Sequence, residues 1–147
     1  MDGRTLGTRV ADFGAKEAHQ EHQDAEVVLA EPLDGSTRLA NTNANGKIVL
    51  IEHSHQEGGV TFVQKVMNGQ NAGATAVIIY NNKEGGGTMP MPTTDAAANV
   101  TVLAVSISQA DGIQLAAAIK TRTTTISLQG IFYVFVLKSF CPFAFCC

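Results

Sequence analysis

Residues 46–80 read GKIVLIEHSHQEGGVTFVQKVMNGQNAGATAVIIY. In 35 residues they offer strand, loop, capped helix and strand, the size of one βαβ unit. Lys47–Glu52 holds the β-branched apolar run IVLI, as a strand buried on both faces requires. Thr61 and Gln64 have capping-box spacing and predict a helix beginning at Thr61. Phe62, Val63, Val66 and Met67 then share one helical stripe. Gly73 can supply the left-handed residue that ends the helix, and Ala74–Tyr80 returns to strand chemistry. Such a crossover makes the two strands parallel. The unit is a packing device, and none of its residues looks like a catalyst.

Outward from it, Glu26–Ala30 (EVVLA) predicts a strand closed by Pro32 and the turn signal Asp34-Gly35. Arg38–Asn45 is a polar connection. Residues 1–25 are read as a poorly structured segment in which Thr8–Phe13 could form a short strand ended by Gly14. Ala15–Asp24 is polar and poor in core residues. After Tyr80, residues 81–99 (NNKEGGGTMPMPTTDAAAN) have turn-forming composition, and a loop of that length is often functional. Val102–Ile107 is a strand leading into a second helix, signalled by Ser108 and Asp111. Its expected apolar side is Ile113, Ala116, Ala117 and Ile119. Thr121–Leu128 alternates as a half-exposed strand does.

The chain of 147 residues and net charge −3 suits one domain, expected at 26–128, with a real core. Its basic residues are scattered, which argues against a nucleic-acid partner. The amino terminus has no apolar run of signal-peptide type. Residues 129–147 form an apolar tail that holds all three cysteines and five of the seven phenylalanines. A spanning helix needs about 20 apolar residues, whereas this tail contains Lys138 and Pro142. A membrane anchor is therefore disfavoured against a misread gene end or an extra strand with an aggregation-prone extension. No thiol lies in the body of the domain, so no disulfide is expected there.

Five pieces of the sequence, in order, resemble the protease-associated (PA) domain: Leu29–Gly35 (LAEPLDG), Gly46–Ile51 (GKIVLI), Phe62–Ala74 (FVQKVMNGQNAGA), Ala76–Asn82 (AVIIYNN) and Ala104–Gly112 (AVSISQADG). The resemblance covers Glu26 to Leu128. It implies an α/β fold, a small barrel-like sheet with a central βαβ unit and two flanking helices. It further implies a lid or recruitment module within larger proteins such as secreted peptidases, vacuolar sorting receptors and membrane-anchored ubiquitin ligases. The wording of Ser106–Gly112 is similar to PA insertions of secreted peptidases. That context points to a secretory or endomembrane address, while the amino terminus lacks the signal. Many relatives carry an R-G-x-C-x-F loop before the first helix. Here Val60 stands for its cysteine and Ser36 stands near the partner cysteine, so both halves of that bridge are lost together.

The expected function is a non-catalytic peptide- or protein-contact module. The alternative is a fragment of a secreted peptidase precursor or of a membrane-anchored receptor or ligase. The surface expected to bind comprises His55, Glu57, Gly58, Gly59 and Thr61 before the first helix, with Asn81, Asn82, Gly86, Met89 and Met91 after the second strand. Both loops leave the carboxyl end of a parallel sheet, where ligands gather. The glycines admit an extended backbone and the methionines offer adaptable apolar contacts.

Other chemistry is weaker. His53 and His55, with Glu57, make a metal site conceivable, but solvated loop histidines are the more frequent case. His19 and His22, beside Glu21 and Asp24, are read as an exposed helix turn. Gly85–Gly87 is followed by Met89-Pro90-Met91-Pro92 and not by a helix, so it predicts a flexible loop and no phosphate cradle. Neither H-E-x-x-H nor G-x-S-x-G occurs, and no catalytic residue, metal or cofactor is expected. Lys65 is assigned a solvated or packing role. Asn99-Val100-Thr101 is a glycosylation sequon that matters only on a secretory route.

Overall fold

A computed structural model describes residues 4–15, 24–40, 43–54, 59–94, 97, 99–129 and 134–139. Strands β1 (Arg4–Leu6), β2 (Thr8–Val10), β3 (Asp24–Leu29), β4 (Ile48–Glu52) and β5 (Ala76–Tyr80) precede β6 (Leu103–Ile107), β7 (Thr124–Gln129) and β8 (Val134–Ser139). Helix α1 (Phe62–Asn71) joins β4 to β5, and α2 (Gln109–Thr121) joins β6 to β7.

The sheet runs β1-β8-β7-β3-β4-β5-β6-β2. Strands β3 to β6 are mutually parallel, whereas β7, β8 and the two edge strands pair antiparallel. The edges β1 and β2 are separated in sequence by Gly7 alone. Consecutive Cα atoms are about 3.8 Å apart, so the sheet must curl until one continuous ribbon serves both of its ends. Strand β3 bridges in the same way. Its first half pairs with β7 and its second half with β4. The amino-terminal segment, read as poorly structured, thus contributes both edge strands. The apolar tail expected from residue 129 contains a strand over Val134–Ser139, and residues 130–133 and 140–147 lie outside the described residues.

Alternation in the parallel strands sorts two cores. Val49, Ile51, Val77 and Ile79 pack against Val63 and Val66 of α1, over Phe13, Met89 and Met91. Ile48, Leu50, Ile78, Leu103 and Val105 face Leu115 of α2 together with Leu6 and Ile126. Because Leu6 and Ile126 come from β1 and β7, the sheet wraps this second cluster. Burial on both faces is what the IVLI run demands.

Both helices start where the capping boxes place them. Thr61 accepts from the Gln64 amide at 3.2 Å and Ser108 from the Asp111 amide at 3.2 Å. Gly73, at φ +89, turns the chain out of α1 as expected. The stripe of α2 differs from the expected one. Leu115 and Ala116 are buried, Ile119 packs beside them, and Ile113 is 54% exposed. Gly112 lies against Tyr80, so close that a Cβ on it would stand 2.2 Å from the ring. That contact fixes the rotation of α2 and turns Ile113 outward.

Candidate functional site: the carboxyl rim of the parallel strands

Register places the ends of three strands side by side: Glu52 opposite Tyr80, and Tyr80 opposite Ile107. Pairing runs one step further, with His53 N–H donating to Tyr80 O at 2.9 Å and Asn81 N–H to Ile107 O at 3.2 Å. The caps of both helices, Thr61 and Ser108, follow these strand ends. Thr61 and the segment from Asn81 therefore follow strand ends on the same rim, and Gly59 is exposed two residues before that cap. His55, Glu57 and Gly58 lie outside the described residues.

The segment after Tyr80 is pinned, in contrast to the flexible loop expected from its glycines. Asn81 is 8% exposed. Its side chain accepts from Lys83 N–H and donates to Gly87 O, both at 2.9 Å, closing the turn on itself. Gly86 packs against Asn81, where an added Cβ would meet the amide nitrogen at 2.4 Å. Gln109 at the start of α2 fastens the tip. Its side-chain oxygen accepts from Gly85 N–H and its own N–H donates to Gly86 O, each at 2.9 Å. Exposed on this turn are Lys83, Glu84, Gly85 and Gly87, while Asn82 is half-buried.

Met89 and Met91 are corrected. They are 7% and 1% exposed and belong to the α1-side core, so their side chains are not offered to a ligand. Ser106, fully buried in β6, accepts from Met89 N–H at 2.9 Å and donates to Met89 O at 2.7 Å. That pair of hydrogen bonds holds the loop against the sheet at Met89, and Asp12 N–H donates to Met91 O at 3.0 Å.

Lys65, read as solvated or packing, is packed, and what the sequence did not reveal is the set of oxygens that its head meets. It is 0% exposed, and its ammonium donates to the backbone carbonyl of Asp34, to Ser54 Oγ at 3.1 Å and to Glu52 O at 3.5 Å. One turn on, Asn68 Nδ2 donates to Gly35 O at 2.9 Å, and Glu52 N–H donates to Leu33 O at 2.9 Å. The Leu33–Gly35 turn is thereby tied to α1 and to the β4 exit. Burial pushes the Lys65 pKa down, and the Asp34 and Glu52 charges oppose that shift in part. Hydrogen bonds from Ser36 hold the Asp34 carboxyl below its usual range. The signal for Lys65 was its position: it falls inside the buried arc of α1, where a lysine stem can pack while its head finds oxygen.

His53 stacks on Phe62, with ring centroids 4.7 Å apart and planes at 17°. The Tyr80 hydroxyl donates to Glu52 Oε2. Burial first, then this bond to Glu52, raises the phenol far above its ordinary range. Among the described residues no three His, Cys, Asp or Glu side chains gather as a metal-holding group. Nor is any helix among them long and apolar enough to cross a membrane.

Residues 10–115 match the sequence profile of the PA domain. The chain belongs to the PA-domain family. It is 41% identical over 88 residues to aminopeptidase YwaD of Bacillus subtilis (strain 168), a match covering 60% of this chain and 17% of that protein. It is 36% identical over 89 residues to the receptor homology region, transmembrane domain- and RING domain-containing protein 1 of Oryza sativa subsp. japonica, covering 58% of this chain and 16% of that protein. The matched stretches thus span less than a fifth of those curated relatives. Among solved structures, a zinc aminopeptidase from Bacillus subtilis superposes with TM-score 0.61 at 22% identity, over 95% of this chain and 32% of that one. That likeness carries the fold.

Proposed function

We propose that this PA domain is a non-catalytic contact module whose carboxyl rim receives an extended peptide or a protein surface. The observation that carries the reading is the shared register of Glu52, Tyr80 and Ile107. It brings the exposed Gly59, Thr61 and Lys83–Gly85 to one edge, over turns locked by Asn81, Gln109 and Lys65. A preorganised rim with exposed backbone suits recognition of an extended chain, because little entropy is lost on docking. PA domains are accessory modules in peptidases and receptors. The identity with an aminopeptidase favours service beside a peptidase active site, as a lid or a substrate-recruiting surface.

The test is a titration of the isotope-labelled full chain with a mixture of unstructured decapeptides, followed by amide NMR shifts. Saturable shifts confined to Gly59, Thr61 and residues 83–87 are expected. Shifts absent throughout, or clustered at the opposite end of the strands, would overturn the assignment.

The second reading, a module of a membrane-anchored receptor or RING ligase, draws on the match to the rice protein. An unbroken apolar run encoded beyond this domain would favour it over the peptidase setting.

A further inference from the structure

The sequon Asn99-Val100-Thr101 sits in the segment that enters β6, at the amino end of the parallel strands and therefore opposite the rim. Its surroundings are built in two layers. Met91, Ala97 and Val100 point down into the α1-side core, while Thr93, Thr94, Asn99 and Thr101 are exposed above them. Gln70, near the end of α1, staples the backbone beneath. Its Nε2 donates to Asn99 O at 2.9 Å, and its Oε1 accepts from the amides of Thr101 at 2.8 Å and Val102 at 3.3 Å. The Thr101 hydroxyl also donates to Gln70 Oε1 at 3.3 Å. The fold thus holds the triplet through its main chain and the threonine. The Asn99 carboxamide enters no hydrogen bond among the described residues and is exposed.

We propose that Asn99 is an N-glycan acceptor when this chain is delivered to a secretory lumen. It is the sole N-x-S/T triplet in the sequence. The donor class is a lipid-pyrophosphate-linked oligosaccharide. A bond forms between Asn99 Nδ2 and the anomeric carbon of the first sugar as that carbon's bond to the pyrophosphate oxygen breaks. The lipid pyrophosphate leaves with the electron pair, and one amide proton is lost to the transferase. Nothing packed in the fold is displaced by the product, because the Gln70 contacts use the backbone and Thr101. The sugar would stand at the pole away from Gly59, Thr61 and Lys83–Gly85, shielding the loop over Met91 and Val100 while leaving the rim open.

The experiment directs the full chain, behind a cleavable secretion leader, into microsomes during translation, with protease protection as the measure of entry. A single upward mobility shift is expected in the protected fraction, reversed by an endoglycosidase. Asn99→Gln and Thr101→Ala should abolish it, and Thr101→Ser should keep it. Asn99→Gln alters an exposed side chain that makes no hydrogen bond among the described residues, so its folded state should match wild type by circular dichroism. Protected wild-type chain without the shift would overturn the proposal, as would a shift that survives Asn99→Gln.

Discussion

The ammonium of Lys65, fully buried on α1, donates to the backbone carbonyl of Asp34, 31 residues away in sequence. This contact ties the turn after β3 to the helix that opens on the rim. Replacing a buried charge with an apolar group can stabilise a protein. Here the opposite is expected, because the oxygens of Asp34 and Ser54 would lose their donor. Hydrogen bonds to charged groups contribute about 1.5–3 kcal/mol each, so Lys65→Met should lose about 2 kcal/mol or more. Urea unfolding gives the value, and an unchanged or raised midpoint would refute the tether.

The same residue sets a pH dependence. Its pKa in the folded protein lies below the usual 10.5, so the unfolded chain binds more protons between those two values. Stability therefore rises with pH across that window. Tyr80, shifted upward from 10.0, begins to oppose this only above its own ordinary value. The stability difference between wild type and Lys65→Met should accordingly widen as pH climbs towards 10. A difference that stays flat or narrows would contradict the assignment.

Gly112 and Tyr80 define how α2 lies on the sheet. Gly112→Ala would place its Cβ 2.2 Å from ring atoms of Tyr80, and overpacking of a filled site costs about 1–3 kcal/mol. Gly87→Ala is the control, with nothing within 4 Å of the added carbon. Thermal melts should separate the two variants clearly, and equal melting temperatures would mean that α2 can shift freely.

The isolated chain is expected to leave generic peptide substrates intact. Incubation of purified protein with a fluorogenic peptide mixture, followed by mass spectrometry, should return the peptides uncut. Cleavage that copurifies with the chain and changes with single substitutions in it would overturn the accessory reading.

The central βαβ unit was legible because its signals agree: a doubly buried strand needs IVLI, and a helix start needs Thr61 with Gln64. The second cap at Ser108 was equally plain. Lys65 was not, since periodicity marks where a side chain lies and says nothing of which carbonyls converge there. The same holds for Met89 and Met91. The first is held by Ser106, 17 positions away, which reads as an ordinary strand serine, and the second by the Asp12 amide from the amino-terminal segment. Ile113, expected on the apolar side, is exposed, and Leu115 is buried, because the Gly112–Tyr80 contact, a tertiary fact, chose the rotation of a helix apolar on several sides. Strands β1 and β8 are short or irregular in composition, and they acquire meaning only through pairing, β1 with β8 and β8 also with β7.

Residues 4–10 behave like a buckle. One short length of chain grips β8 with its first half and β6 with its second, so it belongs equally to the antiparallel and the parallel portions of the fold. A tug on the amino terminus, or a protease nick near Gly7, is thus felt in both portions at once. Slackening them together would bare two strand flanks to any neighbouring molecule.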